Sequence, residues 1–490
     1  MASLSIIVVV VVYLVVLLAI GVWGGRESGT VKGYFLAGKK LPAWVVAFSS
    51  NTTGESAWLL LGLTGMGYTI GVHALWIVMG EVLGVALGWA MVGQRFKEYT
   101  DRYDSITVPD YLEARFRDSS HVIRIVSAII ICTMVGAYTA AQLTASGKAF
   151  ESFLGTSYTA GVLIGAAVIL YYTTVGGFKA VAYTDLLQGV LMFLGLLALP
   201  VIGLTATGGW SNLIEALRET DPTLLAPMGA YGFSVAGVLS AASFMGIGLA
   251  FLGAPQLLTR FMAARDRDAI VDGGLIAVVC VIVFDVGAVL GGMSGRMLFP
   301  GLADPETILP IMTSELLPPL VTGLFLVIVL AAIMSTVDSL LILASSAVVR
   351  DVVQQIFVPD LDDRRVSLYA KVTTVGLGLV GLVFALGEVR VIFWFVLFAW
   401  SGLASAFTPV ILCSLFWKRT TKTGAVAGMI GGFFTAVLWV LFLKERFYDL
   451  YEMLPGFAVG FLVTVVVSLF TEPPPDAAEE MDSVRDALAA

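Results

Sequence analysis

The stretch AWVVAFSSNTTGESAWLLLGLTGMG (43–67) decides the fold class that we predict for this chain. It is apolar at both ends, yet its centre is polar from Ser49 to Ser56. A helix facing lipid would leave these groups without partners in hydrocarbon. Small hydroxyl side chains around Gly54 suit a locally unwound helix whose free carbonyl groups bind water, an ion or a ligand. The simpler alternative is that the polar side chains join two packed helices.

The composition excludes a soluble protein. Of the 490 residues, 58% are hydrophobic and only 13% are charged, whereas roughly 25% are charged in soluble domains. Apolar runs of about 20 residues, each long enough to cross a bilayer, recur from Leu4 to Phe470. We therefore predict an all-α polytopic membrane protein with thirteen transmembrane helices.

The distribution of positive charge predicts the orientation. No Lys or Arg precedes the first apolar run, so this run is expected to stay as a helix with its N-terminus outside. Most of the 28 Lys and Arg residues then fall in loops on the inner side, as the positive-inside rule requires. The sequence predicts a multi-pass protein of the cell (inner) membrane with a cytoplasmic C-terminus. The acidic, proline-containing tail after Glu472 is predicted to be disordered.

A second interrupted stretch is SFMGIGLAFLGAP (243–255), an apolar run that is punctuated by Gly246, Gly248, Gly253 and Pro255. A simple proline kink is the alternative. Two interrupted helices five spans apart are typical of an inverted repeat of two five-helix bundles with a site between them. The predicted segments are an extra N-terminal helix and loop (1–41), a first repeat (42–210), a second repeat (211–417), two C-terminal helices (418–471) and the tail (472–490).

Besides Glu55, four carboxylates lie inside apolar runs, those of Glu81, Asp185, Asp285 and Asp338. Acidic groups within a membrane are costly and tend to face cavities or pathways. The sequence offers no Lys or Arg at the centre of a span as their counter-charge. We expect them to be protonated, solvated or paired with a cation that enters.

One helix face in AAIMSTVDSLLILASS (331–346) is lined by Ala332, Ser335, Thr336 and Ser339 at helical spacing. Hydroxyl oxygens, together with carbonyls from an unwound neighbour, suit a hard cation such as sodium, which prefers oxygen ligands. Hydrogen bonding between packed helices is the alternative.

Several ordered motifs make the chain resemble the sodium/solute symporter family and, within it, the sodium/proline symporters. The likeness extends from about Tyr34 to Phe470. It rests on SAWLLLGLTG (56–65), TVPDYLEARF (107–116), GGFKAVAYTDLLQ (176–188), LGAPQLLTRFMA (252–263), MSTVDSLLILASSAV (334–348), SGLASAFTPVILCSLFWKR (401–419), TGAVAGMIGG (423–432) and YEMLPGF (451–457).

The resemblance implies a leucine-transporter-like fold, with an inverted five-plus-five helix repeat, one helix before it and two after. It also implies sodium-driven symport by alternating access, with Na+ as the coupling ion and a small solute as the other partner. The family's sodium site corresponds to the backbone carbonyls of Thr52 and Glu55 and to three residues of the eighth core helix. Those three are Ala332, Ser335 and Thr336. A second ion position would involve Asp185 and Ser339.

The resemblance implies a substrate site at Ser56, Trp58, Tyr138, Phe251 and Pro255, with Glu55 beside it. The chain departs from the proline-carrier pattern here. Gly54 and Glu55 stand where the family has an aspartate and its successor, Ile247 replaces a tryptophan, and Phe251 replaces a tyrosine.

These departures have two interpretations. Glu55 either replaces the lost neighbouring carboxylate and leaves proline transport intact, or the added carboxylates recognise an amine or quaternary ammonium group of another solute or carry a proton. The first is favoured because Trp58, Tyr138 and Phe251 still offer aromatic walls for a small ring or ammonium.

Other classes of protein are less consistent with the sequence. A membrane sensor would need an output domain, but only about 20 residues follow the last apolar run, fewer than a domain requires. A channel would need a continuous filter or charged ring, and an enzyme would need clustered catalytic residues. We predict no enzyme activity, no organic cofactor and no nucleic-acid partner; the sequence leaves the oligomeric state open.

Overall fold

The computed structural model describes residues 4–387 and 392–489, and these ranges are almost entirely helical. The α-helices are numbered in chain order. The first ten are α1 Leu4–Gly24, α2 Val31–Leu36, α3 Ala43–Ala57, α4 Thr64–Ile70, α5 Leu75–Leu87, α6 Gln94–Arg102, α7 Val108–Phe116, α8 Val122–Leu154, α9 Tyr158–Ala206 and α10 Trp210–Thr220. The remainder are α11 Val235–Gly246, α12 Pro255–Ala263, α13 Arg267–Leu298, α14 Ile308–Leu316, α15 Pro319–Ser346, α16 Asp363–Ala385, α17 Ile392–Phe416, α18 Lys422–Leu438, α19 Met453–Leu469 and α20 Ala477–Ala489.

Turns of altered pitch join or extend several of these helices. A π-helical turn, Trp58–Leu63, links α3 to α4, and another, Gly88–Gly93, links α5 to α6. A 3-10 turn, Ile247–Leu252, follows α11, and a π-helical segment, Ala347–Phe357, extends α15. Such departures from α geometry are frequent at functional sites.

Ten helical stretches of the described ranges are long and apolar enough to cross a membrane. Two of them are long enough to cross twice: Ala43–Arg102, and Tyr158–Ala206 with 49 residues, or about 74 Å at 1.5 Å per residue. Each contains a glycine of positive φ, Gly71 (+56°) and Gly177 (+62°). The count of thirteen spans needs both stretches to cross twice and also needs the shorter Met453–Leu469. That count, like the division at residues 42, 211, 418 and 472, stays a prediction.

The structure has a helix break in each of the two stretches where the sequence predicts one. In the first, Ser56 has φ +51° and ψ −166°, which ends the regular helix of α3. In the second, Gly253 leaves the helical region (φ −166°, ψ 6°), Ala254 is extended, and α12 begins at Pro255. Both breaks lie within apolar spans.

The centre of the fold is α15, whose residues 325–346 are all buried. It packs against α3, α8 and α9, and α9 also packs against α1 and α13. Large apolar side chains are exposed along α1 and α16, as expected for surfaces that face lipid. The polar stripe of α15 therefore lies in the interior, against the broken α3.

Glycines allow α5 to lie directly against the 3-10 turn after α11. A Cβ on Gly80 would overlap the oxygen of Met245, and one on Gly84 would overlap the oxygen of Gly248. A Cβ on Gly248 would in turn overlap the oxygen of Gly80. Backbone contact of this kind is typical of small residues between membrane helices, and it fixes the second break next to α5.

The prediction of a disordered tail is wrong. Residues 477–489 form α20, which packs against α6. Tyr103 Oη donates a hydrogen bond to Glu480 Oε2 at 2.7 Å, Arg267 donates to the Leu488 carbonyl at 3.1 Å, and Val484 is fully buried. The acidic composition is thus used for contacts with basic and hydroxyl groups of the helix ends.

Candidate functional site

The break in α3 is stabilised by a side chain that sequence reasoning missed. Gln142 on α8 accepts a hydrogen bond from the Ala57 N–H through Oε1 (3.1 Å) and donates Nε2 to Ser56 Oγ (3.2 Å). Non-glycine residues with positive φ cost about 1–3 kcal/mol and need support from their surroundings. The spacing from Tyr138 to Gln142, one helical turn, is the signal that could have identified this residue.

The predicted sodium ligands of α3 and α15 lie together in the structure. Ser335 Oγ donates to the Thr52 carbonyl at 3.2 Å, and Thr336 Oγ1 approaches the same oxygen at 3.4 Å. Both hydroxyls also lie 3.2 Å from the Ala332 carbonyl. Each hydroxyl thus lies within about 3.4 Å of both carbonyls. These four neutral oxygens form a set that a hard monovalent cation can bind when the hydroxyls turn their hydrogens away.

Glu55 is only partly accounted for by this site. Its carbonyl accepts a hydrogen bond from the Trp58 N–H on its own helix. The assignment of that carbonyl to sodium, and of the Glu55 side chain to substrate, stays a prediction.

The predicted second ion position, at Asp185 and Ser339, holds a guanidinium group. Arg260 on α12 donates Nη2 to Asp185 Oδ2 at 3.2 Å and also contacts Ser339 Oγ. The same nitrogen donates to Thr53 Oγ1 at 2.8 Å. Ser49 Oγ donates to Asp185 Oδ2 at 2.6 Å. A second ion at Asp185 and Ser339 stays a prediction, and it would have to share this space with Arg260.

The expectation that no Lys or Arg compensates the membrane carboxylates is wrong for Asp185. Arg260 is 1% exposed and Asp185 is 0% exposed, so their ion pair is inside the protein. The sequence places Arg260 after an apolar run, which favours a cytoplasmic loop. The break before α12 redirects that short helix, and the long Arg side chain reaches the interior.

The predicted substrate residues surround the break in α3. Tyr138 Oη lies 3.4 Å from Ser56 Oγ, and Trp58 Nε1 donates to the Gly54 carbonyl at 3.3 Å. Phe251 packs on Gly54, where an added Cβ would lie 2.8 Å from its ring. The structure therefore brings Ser56, Trp58, Tyr138 and Phe251 to one place.

Pro255 differs from this group. It is buried at the first turn of α12, beyond the second break, and its carbonyl accepts a hydrogen bond from Thr259. Its contact with a substrate stays a prediction.

Two cavities lie near the broken helices. The larger has a volume of about 460 Å³ and is lined by Met66, Phe244, Ile247, Trp394 and Tyr451 among others. The smaller, of about 10 Å³, is lined by Arg260, Ser339 and Thr259 among others. The smaller cavity is nearly closed and reaches the Arg260 and Ser339 side chains, whereas the predicted substrate residues do not line the larger one.

Three of the buried carboxylates form a cluster, defined here as Glu55, Glu81 and Asp285. One oxygen of each lies within 4.8 Å of one of each of the others. Two full negative charges at that separation repel by about 3–4 kcal/mol at an effective dielectric constant of 20. The sequence indicated each carboxylate singly, whereas their meeting is a property of the packing of α3, α5 and α13.

Two broken membrane helices around a buried oxygen site are typical of secondary transporters built from inverted repeats. The chain belongs to the Sodium:solute symporter family, whose sequence profile matches residues 34–432. The predicted family is thereby confirmed, and the chain is a sodium-coupled solute symporter.

Two relatives from Bacillus subtilis match almost the full chain. The high-affinity proline transporter PutP is 35% identical over 479 residues, covering 96% of this chain and all of that protein. The osmoregulated proline transporter OpuE is 32% identical, covering 99% of each chain.

Similarity in three dimensions confirms the fold class. The solved structure of a Na+-coupled sialic acid symporter, in a substrate-bound outward-open state, matches with a TM-score of 0.82 at 18% identity. The match covers 96% of this chain and 99% of that chain.

Proposed function

We propose that this symporter takes up proline into the cell, driven by sodium and by alternating access. The observation that carries the proposal is the meeting of the Thr52 carbonyl with the Ser335 and Thr336 hydroxyls, directly before the break at Ser56. A cation held there ties α3 to α15 and so orders the segment that carries Ser56 and Trp58. Sodium binding should therefore raise the affinity for substrate, and substrate should raise the affinity for sodium by the same factor.

The size and chemistry of the surroundings support a small solute with an apolar ring. Trp58, Tyr138 and Phe251 give aromatic walls, and Ser56 and Gln142 give polar contacts at the break. Proline has a small apolar ring and a charged backbone, which match these two kinds of surface. The names of the two Bacillus subtilis relatives support the same substrate.

The orientation of the protein in the membrane follows from the distribution of its Lys and Arg residues. With the basic loops inside, the N-terminus is outside, the C-terminus is cytoplasmic and the 460 Å³ cavity opens outward. Sodium and substrate would enter through this cavity. The nearly closed entrance at Arg260 would be the route of release.

The energy supply is adequate for accumulation. One sodium ion that moves down a tenfold gradient and through 100 mV releases about 3.7 kcal/mol. This would concentrate a zwitterionic solute about 500-fold.

The proposal is tested by uptake into proteoliposomes with an imposed sodium gradient. Labelled proline is compared with betaine, lysine and polyamines, which test the alternative of an amine-bearing or quaternary ammonium solute. Sodium-dependent proline uptake is the expected result. Uptake that ignores sodium and follows a proton gradient would contradict sodium coupling, and uptake of another solute alone would contradict proline.

The ion site is tested with Ser335→Ala combined with Thr336→Ala. Loss of two oxygen ligands should raise the sodium concentration for half-maximal uptake by at least tenfold, since hydrogen bonds or contacts to charged groups contribute about 1.5–3 kcal/mol each. Ser345→Ala is the matched control, because its hydroxyl bonds only the Ile342 carbonyl of the same helix. Equal sodium dependence in the double variant and the control would contradict this site.

A further inference from the structure

The carboxylate cluster of Glu55, Glu81 and Asp285 lies outside the sodium site described above. Glu55 projects from α3, Glu81 from α5 and Asp285 from α13, and each is 0% exposed. One oxygen of each lies within 4.8 Å of the others. Three helices thus present acidic groups to one buried point.

The hydrogen bonding of the cluster is incomplete. All six carboxylate oxygens are buried, and no group outside the cluster, in the part of the chain that the structure describes, donates a hydrogen bond to them. Other buried acids differ: Asp351 is paired with Arg124 at 2.7 Å, and Glu452 with Lys444 at 2.8 Å. Buried charges normally have a partner of opposite sign or a metal ion. Asp351 and Glu452 have a cationic side chain as partner, whereas the described residues supply none to the cluster.

The cluster lies in closely packed surroundings, outside the larger cavity. Glu81 lies between Gly80 and Gly84, whose helix is in backbone contact with the turn at Gly248. The 460 Å³ cavity reaches Ile247, and none of the three carboxylates lines it. A solute in that cavity therefore does not touch the three carboxylates.

The separation of the oxygens fits a metal ion. Hard cations of the size of calcium bind carboxylate oxygens at about 2.3–2.6 Å, so two ligands of one ion can be up to about 5 Å apart. The 4.8 Å limit of the cluster agrees with this. Three carboxylates also supply up to six oxygens and a formal charge that a cation would offset.

We propose that Glu55, Glu81 and Asp285 form an additional metal-cation site, distinct from the predicted ion position at Asp185 and Ser339. The site would take a hard, oxygen-preferring ion of the size of sodium or calcium. It is separate from the site of Thr52 and Ser335, which consists of neutral oxygens. The two sites share α3: the carbonyl groups before Ser56 face α15, while the Glu55 side chain meets α5 and α13. A cation in the cluster would therefore hold the broken helix from its other side.

The test uses the full chain in lipid nanodiscs and measures equilibrium binding of ²²Na+ and of ⁴⁵Ca²⁺ in choline buffer. The parent for all variants is Ser335→Ala with Thr336→Ala, which weakens the first site. This parent should still bind one of the two ions saturably. Adding Glu81→Gln and Asp285→Asn should weaken that binding at least 30-fold, whereas Glu452→Gln should leave it unchanged.

Measuring both ions shows whether the cluster binds a cation and which cation it binds. Saturable binding of either ion that is lost with the cluster supports the proposal and identifies the cation. No binding of either ion to the parent, or binding that survives Glu81→Gln with Asp285→Asn, would overturn it. Because no solute is present, the result stands whether or not proline is transported.

Thermal unfolding of the same samples separates loss of the site from misfolding. Without a metal cation, the neutralised variant should unfold at the same temperature as the parent or higher, because mutual repulsion is removed. With the bound cation, the unfolding temperature of the parent should rise and that of the variant should not. A parent whose unfolding temperature responds to neither ion would refute the proposal.

Discussion

The ion pair of Asp185 and Arg260 allows a quantitative test of the interior of this symporter. Both side chains are buried, and their closest nitrogen and oxygen atoms are 3.2 Å apart. The perturbations are Arg260→Met, Asp185→Asn and the two together. Each single change leaves one charge in the interior without its partner, while the double change removes both charges.

The magnitude follows from the distance and the burial. At 3.2 Å and an effective dielectric constant of 20, the attraction is about 5 kcal/mol. Breaking a buried pair by removing one partner typically costs about 3–5 kcal/mol. Removing both partners costs much less, because no uncompensated charge remains. We therefore expect a coupling energy of about 3 kcal/mol or more between the two substitutions.

The assay is thermal unfolding of the four proteins in nanodiscs. For a chain of this length, 1 kcal/mol corresponds to a shift of about 1 °C, so each single variant should unfold about 3–5 °C lower than the parent. The double variant should recover most of this loss. A surface pair, Arg485 with Asp482, is the control: these side chains are 64% and 62% exposed, and such pairs contribute only about 0–1 kcal/mol.

Two outcomes would refute the reasoning. Additive losses in the double variant would mean that the two side chains do not interact in the folded protein. Single variants as stable as the parent would mean that the pair is solvated. A further readout concerns the ion: Arg260→Met frees Asp185 and Ser339, so sodium should stabilise this variant more than the parent.

Three further changes test the packing around the site. Gly248→Ala places a Cβ onto the Gly80 carbonyl and should abolish transport or prevent isolation of monodisperse protein. Gln142→Leu leaves the N–H at the α3 break without its acceptor, so it should lower the unfolding free energy by about 1–3 kcal/mol and reduce uptake. Glu480→Gln weakens the docking of α20 by about 1 kcal/mol and should speed tryptic cleavage after Arg485 about fivefold.

The controls are residues without these contacts. Gly136→Ala has no heavy atom within 4 Å of the added Cβ and should transport normally. Glu479→Gln changes an exposed acidic residue of α20 that is remote from the cleaved bond and should leave cleavage unchanged. Normal transport by Gly248→Ala or Gln142→Leu, or an unchanged cleavage rate in Glu480→Gln, would contradict the corresponding contact.

The sequence predicted the parts of this site that are local along the chain. The polar centre of residues 49–56 predicted the break that the structure places at Ser56. The spacing of Ser335 and Thr336 predicted a shared helix face, because residues one turn apart lie on the same side. These inferences need only the helical period and the cost of unpaired polar groups in hydrocarbon.

Inferences about partners failed where two distant segments meet. Arg260 lies 75 residues from Asp185, and a short helix after a break carries it from an expected loop position into the interior. The acidic tail likewise has no apolar run to predict its docking, yet basic groups and Tyr103 at the helix ends hold it. Both errors arise because local composition does not specify which surfaces meet.

The sequence by itself determined the membrane class, the broken helices and the hydroxyl stripe, since these follow from hydropathy and helical periodicity, and its ordered motifs carried the resemblance to the family. The tertiary structure decided that Arg260 compensates Asp185, that Gln142 supports the break, and that Glu55, Glu81 and Asp285 meet at one point. The physical reason is the difference between interactions that act within one segment and interactions that need two segments to meet. Hydrophobic burial acts on each segment separately, whereas charge pairing depends on distances of a few ångströms between side chains from different helices.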